Sequence, residues 1–125
     1  MKKLIALVFA LVATAGFAAE FPDISIADLK QAIADKKVTV IDVNGAASYK
    51  DGHVPTAIDF ATQGSSLASA LPADKGALVV AYCGGPACSA YKAAANAASQ
   101  LGYTNVKHLS AGISGWKAAK EPLEK

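Results

Sequence analysis

One stretch near the middle of the chain joins a strand pattern to a helix pattern through a short loop, and it limits what the chain can fold into. Residues 77–82 are apolar and are typical of a buried strand, whereas the alanine-rich residues 88–101 predict a helix that ends at Gly102. The Gly-Gly-Pro sequence between them interrupts regular structure. Cys83 therefore stands at the end of a strand, in a tight loop that faces the first turn of a helix.

This placement leaves two interpretations of the Cys83 thiol open. Backbone N–H groups of the loop and of the first helical turn lack acceptors in regular structure and converge on one point. They favour an anion there, so they lower the pKa of a thiol from its usual value of about 8.5 and make it a nucleophile. Alternatively, Cys83 is an inert cysteine that ends a strand, because buried cysteines are common in protein cores.

Strand and helix patterns alternate along the rest of the chain. Residues 38–43 are almost all apolar and β-branched, which suits a strand that is buried on both faces of a sheet. Shorter strand patterns occupy residues 57–60 and 106–109, and helical patterns occupy residues 26–35, 46–50, 66–71 and 113–119. The alternation predicts a single α/β domain, built as a parallel β-sheet with helices on both faces.

The first 18 residues have the pattern of a bacterial secretory signal peptide. Lys2 and Lys3 precede an apolar segment over residues 4–12, and Gly16 and Ala18 are small residues at the two positions that a signal peptidase reads. We expect cleavage after Ala18, which leaves residues 19–125 as the folded domain in the periplasm or outside the cell. An uncleaved membrane anchor is the alternative, although the apolar segment is short against the ~20 residues that span a bilayer.

The charge of the mature domain argues against nucleic acid or a membrane as its partner. The formal net charge of the whole chain is +2, and removal of Lys2 and Lys3 with the signal peptide brings it to zero (+2 − 2). No excess of positive charge then attracts polyanions. The chain also contains no Arg, so no guanidinium group can bind sulfate, phosphate or carboxylate in a bidentate manner.

The chain has two cysteines, Cys83 and Cys88, and a disulfide between them is the first expectation for an exported protein. Such a bond would close a small loop and stabilise the domain little. A domain of about 107 residues buries its own core without one. We therefore assign the pair to chemistry rather than to structure.

Several motifs, taken in order, resemble the signatures of single-domain rhodanese-like sulfurtransferases. Each motif alone is weak, but the ordered set is specific and covers nearly all of the chain after residue 18. The motifs are Ile41-Asp42-Val43; Tyr49 with Gly52-His53-Val54-Pro55; Tyr82-Cys83-Gly84-Gly85-Pro86-Ala87-Cys88-Ser89; and Leu101-Gly102-Tyr103 with Val106, Gly112 and Gly115-Trp116.

The resemblance implies an α/β fold and a sulfur-transfer function. Cys83 would accept sulfane sulfur from a small sulfur-containing donor as a persulfide and pass it to a thiol or cyanide-like acceptor, with ping-pong kinetics. Backbone N–H groups can stabilise the anionic sulfur without a charged side chain. The loop that binds it would comprise Cys83, Gly84, Gly85, Pro86, Ala87, Cys88 and Ser89.

Three departures from the family pattern concern the sulfur donor. The loop is neutral where family loops often carry Arg or Lys, Asn44 stands where an Arg is frequent, and Ser48 stands where an acidic residue is common. We therefore expect thiosulfate to be a poor donor. The short loop without Arg also separates the chain from the related phosphatases, whose longer loop ends in Arg.

Asp42, His53 and Lys92 are candidate supporting residues. Asp42 either orients the catalytic loop or accepts hydrogen bonds from backbone N–H groups at the end of its strand, and we favour the second role. His53 is either a proton shuttle or a packed histidine of a turn, and we favour the packed histidine. Lys92, one turn into the predicted helix, could lend positive charge to the loop. The His and Cys spacing fits no standard zinc site, so we expect neither a metal nor a cofactor.

Cys88 has two roles open to it, a small core residue or a resolving thiol. As a thiolate beside a Cys83 persulfide, it would attack the inner sulfur, expel sulfide and close a disulfide. We predict that the native fold keeps both cysteines as free thiols. A disulfide would form only after the loop deforms, as an off-state that a periplasmic reductant reverses.

Two further hypotheses stand beside the sulfurtransferase. The first is a non-catalytic rhodanese-fold module that binds a partner protein or a sulfur anion, and the neutral loop motivates it. The second is a thiol-redox protein that uses Cys83 and Cys88. Their C-x4-C spacing differs from the C-x-x-C spacing of thioredoxins, which disfavours a dedicated oxidoreductase.

Overall fold

The computed structural model describes residues 21–125, which build a four-stranded sheet with helices along both of its faces. The predicted α/β fold with a parallel sheet is confirmed. In chain order the elements are α1 (Ile26–Ala34), β1 (Val38–Asp42), α2 (Ala46–Asp51), β2 (Ile58–Asp59), α3 (Phe60–Gln63), a 3-10 turn (Gly64–Ser66), α4 (Leu67–Ala70), β3 (Leu78–Tyr82), α5 (Tyr91–Gln100), β4 (Val106–His108) and α6 (Gly112–Ala118).

The strand order is β2-β1-β3-β4, and each neighbouring pair is parallel. Val40 lies opposite Val80 in the register of β1 with β3. Because parallel strands point the same way, their carboxyl ends meet at one edge of the sheet. The loops that follow β1 and β3 therefore lie side by side, and Val43 N donates a hydrogen bond to Tyr82 O at 2.9 Å there.

Alternate residues of β3 supply the two halves of the core. Val79 and Ala81 join a buried cluster with α4 and α5, and Cys83, which directly follows the strand, joins the same cluster. Val80 and Tyr82 join a second cluster with α1 and α6 on the opposite face. A strand with helices on both sides has no solvent face, which explains why its sequence is continuously apolar rather than alternating.

The helix after Cys83 is shorter than the sequence predicts, since α5 begins at Tyr91 and not at Cys88. Residues 85–88 form a turn that is closed by a hydrogen bond from Cys88 N to Gly85 O at 3.1 Å. This turn overrides the helix preference of the alanine-rich sequence. The loop consequently runs from Cys83 to Ala90, and Cys88 belongs to the loop.

The segment around β2 also differs from expectation. The predicted strand over residues 57–60 is reduced to Ile58–Asp59, and a helix begins at once. Asp59 ends the strand because its Oδ1 accepts a hydrogen bond from Ala61 N at 3.1 Å, as an N-cap. Residues 62–66, whose polar sequence is typical of a loop, instead complete α3 and form the 3-10 turn.

The predicted signal peptide, residues 1–18, lies outside the described residues, so cleavage and export remain predictions. Within residues 21–125, no helix is both long and apolar enough to span a bilayer. The segment before α1 lies against β4, where Pro22 O accepts a hydrogen bond from His108 N at 2.8 Å and Ile24 N donates to His108 O at 2.9 Å.

Candidate active site

The candidate site is the loop that follows β3 at the carboxyl edge of the sheet. Crevices at this edge are where open α/β sheets bind ligands. The structure brings the predicted loop residues together around Cys83, which is buried at 2% exposure beneath a loop whose outer residues reach solvent. Those exposed residues are Pro86, Ala87, Ser89 and Ala90.

One side of the loop is held by the start of α6. Ile113 N donates to Cys83 O at 3.0 Å, and Ser114 N donates to Gly84 O at 3.0 Å. Gly112 permits this approach, because a Cβ on it would lie 2.6 Å from the carbonyl carbon of Gly84. Its φ of +63° also favours glycine. The sequence motif that contains Gly112 thus supports the loop from a distant part of the chain.

These hydrogen bonds fix the direction of the loop amides. The described residues contain no cis peptide, and in a trans peptide the N–H points opposite to the preceding C=O. The N–H groups of Gly84 and Gly85 therefore point away from α6. Within residues 21–125, they and three later amides of the loop donate to no protein atom, namely those of Ala87, Ser89 and Ala90.

An unpartnered set of backbone donors at one loop suits an anionic ligand or an anionic sulfur. Gly84 and Gly85 are half-buried, and amides in such positions normally find an acceptor, so two neighbouring ones without a protein partner are unusual. Pro86 contributes no N–H, and Cys88 N is already used in the turn. The ring of donors stays a prediction, and Gly84 and Gly85 are the members whose direction the peptide geometry fixes.

The structure joins Cys83 to Cys88 in a disulfide, so the prediction of two free thiols in the native fold is wrong. Their Cα atoms lie 6.3 Å apart, within the usual range for a disulfide. The turn over residues 85–88 brings Cys88 back toward β3 without unfolding the loop. Bond formation therefore needs no deformation of the kind the sequence suggested.

The disulfide defines the chemical state of the site. A thiolate is the nucleophilic form of cysteine, and neither sulfur is a thiolate here. This structure is the oxidised form, and its sulfurs are electrophilic. Cys88 is partly buried against the core cluster that contains Cys83, and its sulfur is bonded to the Cys83 sulfur. This position fits both a small core residue and a resolving thiol.

Asp42 ends β1 as part of a closed hydrogen-bond network. It is fully buried, its Oδ1 accepts from Asn44 N at 2.7 Å, and its Oδ2 accepts from the Tyr82 hydroxyl at 2.6 Å. The Tyr82 hydroxyl accepts in turn from Val54 N at 3.0 Å. Burial, and then the hydrogen bond to Asp42, raise the pKa of Tyr82 well above its usual value. These contacts match the favoured role of Asp42 as a strand-end acceptor.

Asn44 is a candidate site residue that the sequence marks only as the absence of a frequent Arg. Its Oδ1 lies 3.9 Å from the position of a Cβ on Gly84, beside the Cys83 loop. Its Nδ2 is buried and has no acceptor among the described residues. Asp42 fixes its backbone. A buried side-chain donor without a partner costs free energy unless a ligand satisfies it, which marks Asn44 as a candidate ligand contact.

His53 packs into the turn around α2. Its Nδ1 donates to Tyr49 O at 2.7 Å, and its ring stacks on the Tyr49 ring at 3.7 Å between centroids. Its Nε2 lies 3.5 Å from a carboxylate oxygen of Glu124. These contacts hold the C-terminal segment and match the packed histidine rather than the proton shuttle.

Lys92 lies in the first turn of α5, near His108. The His108 ring stacks on the Tyr91 ring at 3.4 Å between centroids, and its Nε2 is buried without a partner among the described residues. Burial lowers the pKa of His108, the charge of Asp23 opposes this, and Lys92 lowers the pKa further. The positive charge of Lys92 therefore lies close enough to His108 to disfavour protonation of its ring. No three His, Cys, Asp or Glu side chains within residues 21–125 come together as metal ligands.

The comparisons with known proteins agree with this geometry. The sequence profile of the rhodanese-like domain matches residues 25–119. No curated protein matches the sequence. Among solved structures, the BH2092 protein from Bacillus halodurans shares 32% identity at a TM-score of 0.65, covering 82% of this chain and 76% of that one.

Two more distant structures show the same fold. A rhodanese-related protein from Thermoplasma volcanium has 24% identity and a TM-score of 0.64, over 83% of this chain and 98% of that one. The human single-domain sulfurtransferase TSTD1 has 20% identity and a TM-score of 0.63, over 81% and 98%. With the profile matched from α1 through α6, this chain belongs to the rhodanese-like domain family.

Proposed function

We propose that the chain is a sulfurtransferase that carries sulfane sulfur as a persulfide on Cys83. One observation carries the proposal: Cys83 follows the central strand of the sheet in a loop whose amides at Gly84 and Gly85 point away from α6 and lack a protein acceptor. A persulfide is an anion, and fixed N–H donors stabilise it without rearrangement. Membership of a family that includes sulfurtransferases supports the same function.

The transfer runs in two half-reactions. In the first, the Cys83 thiolate attacks the sulfane sulfur of the donor, and the rest of the donor leaves with the electron pair of the broken bond. In the second, the acceptor attacks the outer sulfur of the persulfide, and the Cys83 thiolate leaves. The covalent intermediate separates the two half-reactions, so donor and acceptor need not bind together.

The charge of the site selects the class of donor. Thiosulfate is a dianion, and the loop offers it amides and the neutral side chain of Asn44 but no cationic side chain. Both charges of thiosulfate lie in one small group, whereas a persulfide, or each end of a polysulfide chain, carries a single charge and needs less compensation there. We propose such donors, with a thiol or a cyanide-like nucleophile as the acceptor.

The oxidised state adds a requirement to this cycle. The Cys83–Cys88 disulfide must be opened before Cys83 can act as a nucleophile. A dithiol reductant would do this, and we place that partner, like the chain itself, in the periplasm, on the strength of the signal-peptide pattern. The disulfide then serves as a reversible off-state.

The proposal is tested by weighing the intact protein. The chain is reduced, desalted and incubated separately with thiosulfate, polysulfide and glutathione persulfide. We expect a gain of one sulfur atom from polysulfide and glutathione persulfide, little gain from thiosulfate, and none in Cys83→Ser. If no donor adds sulfur to the reduced wild type, the proposal fails and the non-catalytic binding module takes its place.

The disulfide favours a second candidate function, thiol–disulfide exchange with a partner protein. The reduced chain would then be oxidised by protein disulfides at a rate that depends on both cysteines. Stopped-flow oxidation by a disulfide-bonded test protein distinguishes it, with Cys88→Ser as the control that blocks ring closure. Fast exchange in a chain that accepts no sulfane sulfur would favour this candidate over the sulfurtransferase.

A further inference from the structure

We propose that inorganic sulfide is a substrate of the oxidised chain and that it enters by opening the Cys83–Cys88 disulfide. The two cysteines are unequally exposed. Cys83 is 2% exposed within the core cluster, whereas Cys88 lies at the edge of that cluster and is partly exposed. The neighbours Ala87 and Ser89 are exposed as well. Because residue 88 is the more exposed of the two, we expect a small nucleophile from solvent to reach its sulfur first.

The loading step balances without any added oxidant. HS⁻ attacks the Cys88 sulfur, a new S–S bond forms, and the Cys83–Cys88 bond breaks with its electron pair leaving on the Cys83 sulfur. The proton of the attacking HS⁻ passes to solvent. Sulfide loses two electrons and the disulfide gains two, so the products are a Cys88 persulfide and a Cys83 thiolate.

The geometry of the loop favours Cys83 as the leaving sulfur. A leaving thiolate departs faster when its charge is stabilised. The amides of Gly84 and Gly85 adjoin Cys83, point away from α6 and have no acceptor among the described residues. A disulfide is uncharged, so these two N–H groups have an anion nearby only after the bond opens and the Cys83 sulfur becomes a thiolate. The same donors therefore assist both the opening of the disulfide and the later persulfide.

The sulfur then moves to Cys83. The Cys83 thiolate attacks the outer sulfur of the Cys88 persulfide, which leaves a Cys83 persulfide and a Cys88 thiolate with no net change in oxidation state. Only this second half rests on the proposed function. After an acceptor has taken the sulfur, a disulfide-donating compound, either a small disulfide or a disulfide-bonded protein, reoxidises the dithiol and completes the cycle. The oxidised chain is in this way a sulfide-consuming state.

The experiment uses purified chain in which alkylation has shown the disulfide to be complete. Sodium sulfide is added anaerobically without any other oxidant, and the protein is weighed after alkylation of its thiols and persulfides. We expect one sulfur atom to be gained per chain together with one alkylated thiol and one alkylated persulfide. Fragmentation of the peptide that contains both cysteines places the added sulfur on Cys88 at early times and on Cys83 later.

Two controls separate this reaction from the proposed function. Chain that was reduced beforehand holds no oxidant, so it gains nothing from sulfide but still gains sulfur from glutathione persulfide. Cys88→Ser forms no disulfide, so it should likewise gain nothing from sulfide. Sulfide that opens the disulfide without leaving sulfur on the protein would overturn the inference, as would early sulfur on Cys83 or equal loading of the reduced chain. Failure of the reduced chain to accept sulfur from any of the three donors would instead overturn the proposed function.

Discussion

The ends of β1 and β3 lie side by side at one edge of the sheet, yet the polar groups at one end are hydrogen-bonded within the protein and those at the other are not. At the end of β1, both oxygens of Asp42 accept hydrogen bonds, from Asn44 N and from the Tyr82 hydroxyl. At the end of β3, the amides of Gly84 and Gly85, which directly follow Cys83, have no protein acceptor in the described part of the chain. The first arrangement is closed and the second is open.

The two strand ends differ in whether they leave polar groups available for a ligand. A buried carboxylate next to the candidate loop invites a chemical role, but a group whose bonding capacity is filled has little left for a substrate. The open loop holds donors that a ligand or an anionic sulfur would satisfy. We therefore expect changes at the closed network to alter stability, and changes at the open loop to alter sulfur chemistry.

The largest expected effect is on stability, from Asp42→Ala. The substitution leaves the buried Tyr82 hydroxyl and the backbone N–H of Asn44 without their acceptor. This should lower the free energy of unfolding by about 3 kcal/mol. Urea unfolding measures it. Asp59→Ala at the end of β2 is the control, since it removes an N-cap and should cost about 1 kcal/mol. An equal loss in both variants would contradict the importance of the closed network.

Gly112→Ala tests the support of the open loop by α6. The new Cβ would meet Gly84 and Gly85 backbone atoms at 2.6 Å at a residue with φ of +63°, so we expect a loss of about 2 kcal/mol. Sulfur loading of the folded protein should fall as well, because the loop is displaced. Gly64→Ala, whose Cβ would find its nearest atoms at 3.8 Å, should leave both properties almost unchanged. Normal loading by Gly112→Ala would show that the loop needs no support from α6.

Asn44→Arg should sharpen the donor preference. A guanidinium group beside Gly84 would add a charge-assisted contact to an anion and raise the rate of loading from thiosulfate about tenfold. Loading from glutathione persulfide should change less, since that donor carries less charge at its sulfur. Asn44→Gln keeps the site neutral and serves as the control. An Arg variant that remains as poor with thiosulfate as the wild type would mean that Asn44 does not face the donor.

The smallest expected effect concerns pH, through His108. Burial lowers its pKa in the folded state, so the unfolded chain binds the proton more readily. The associated stability is present above the ordinary histidine pKa of about 6.5 and is lost as pH falls through the lower folded value. Thermal unfolding between neutral and acidic pH should therefore show a steeper loss in the wild type than in His108→Phe. Parallel pH profiles would contradict a buried neutral His108.

The sequence predicted the architecture well where burial decides it. The continuous apolar runs of β1 and β3 indicate strands covered on both faces, and the loop position of Cys83 follows from the glycines and proline after it. The start of α5 at Tyr91 was missed because a local turn at Gly85 outcompetes helix preference. The sequence also gives no sign that Asp59 caps α3.

The disulfide and the position of Asn44 beside the loop could not be predicted from the sequence, for a different reason. Spacing between Cys83 and Cys88 limits the distance that their Cα atoms can have, but the direction of the side chains depends on how the loop turns. The contact of Asn44 with the loop depends on two strands that are remote in sequence but adjacent in the sheet. The sequence shows only that Asn stands where an Arg is frequent, and the structure adds that this side chain lies beside Gly84.

Steady-state sulfur transfer by the reduced chain tests the central claim most directly. Glutathione persulfide is the donor, cyanide is the acceptor, and thiocyanate formation is followed while both concentrations vary. A covalent persulfide on Cys83 predicts parallel double-reciprocal lines and a rate in Cys83→Ser no higher than that without protein. Intersecting lines, or a Cys83→Ser variant that transfers sulfur as fast as the wild type, would contradict the account.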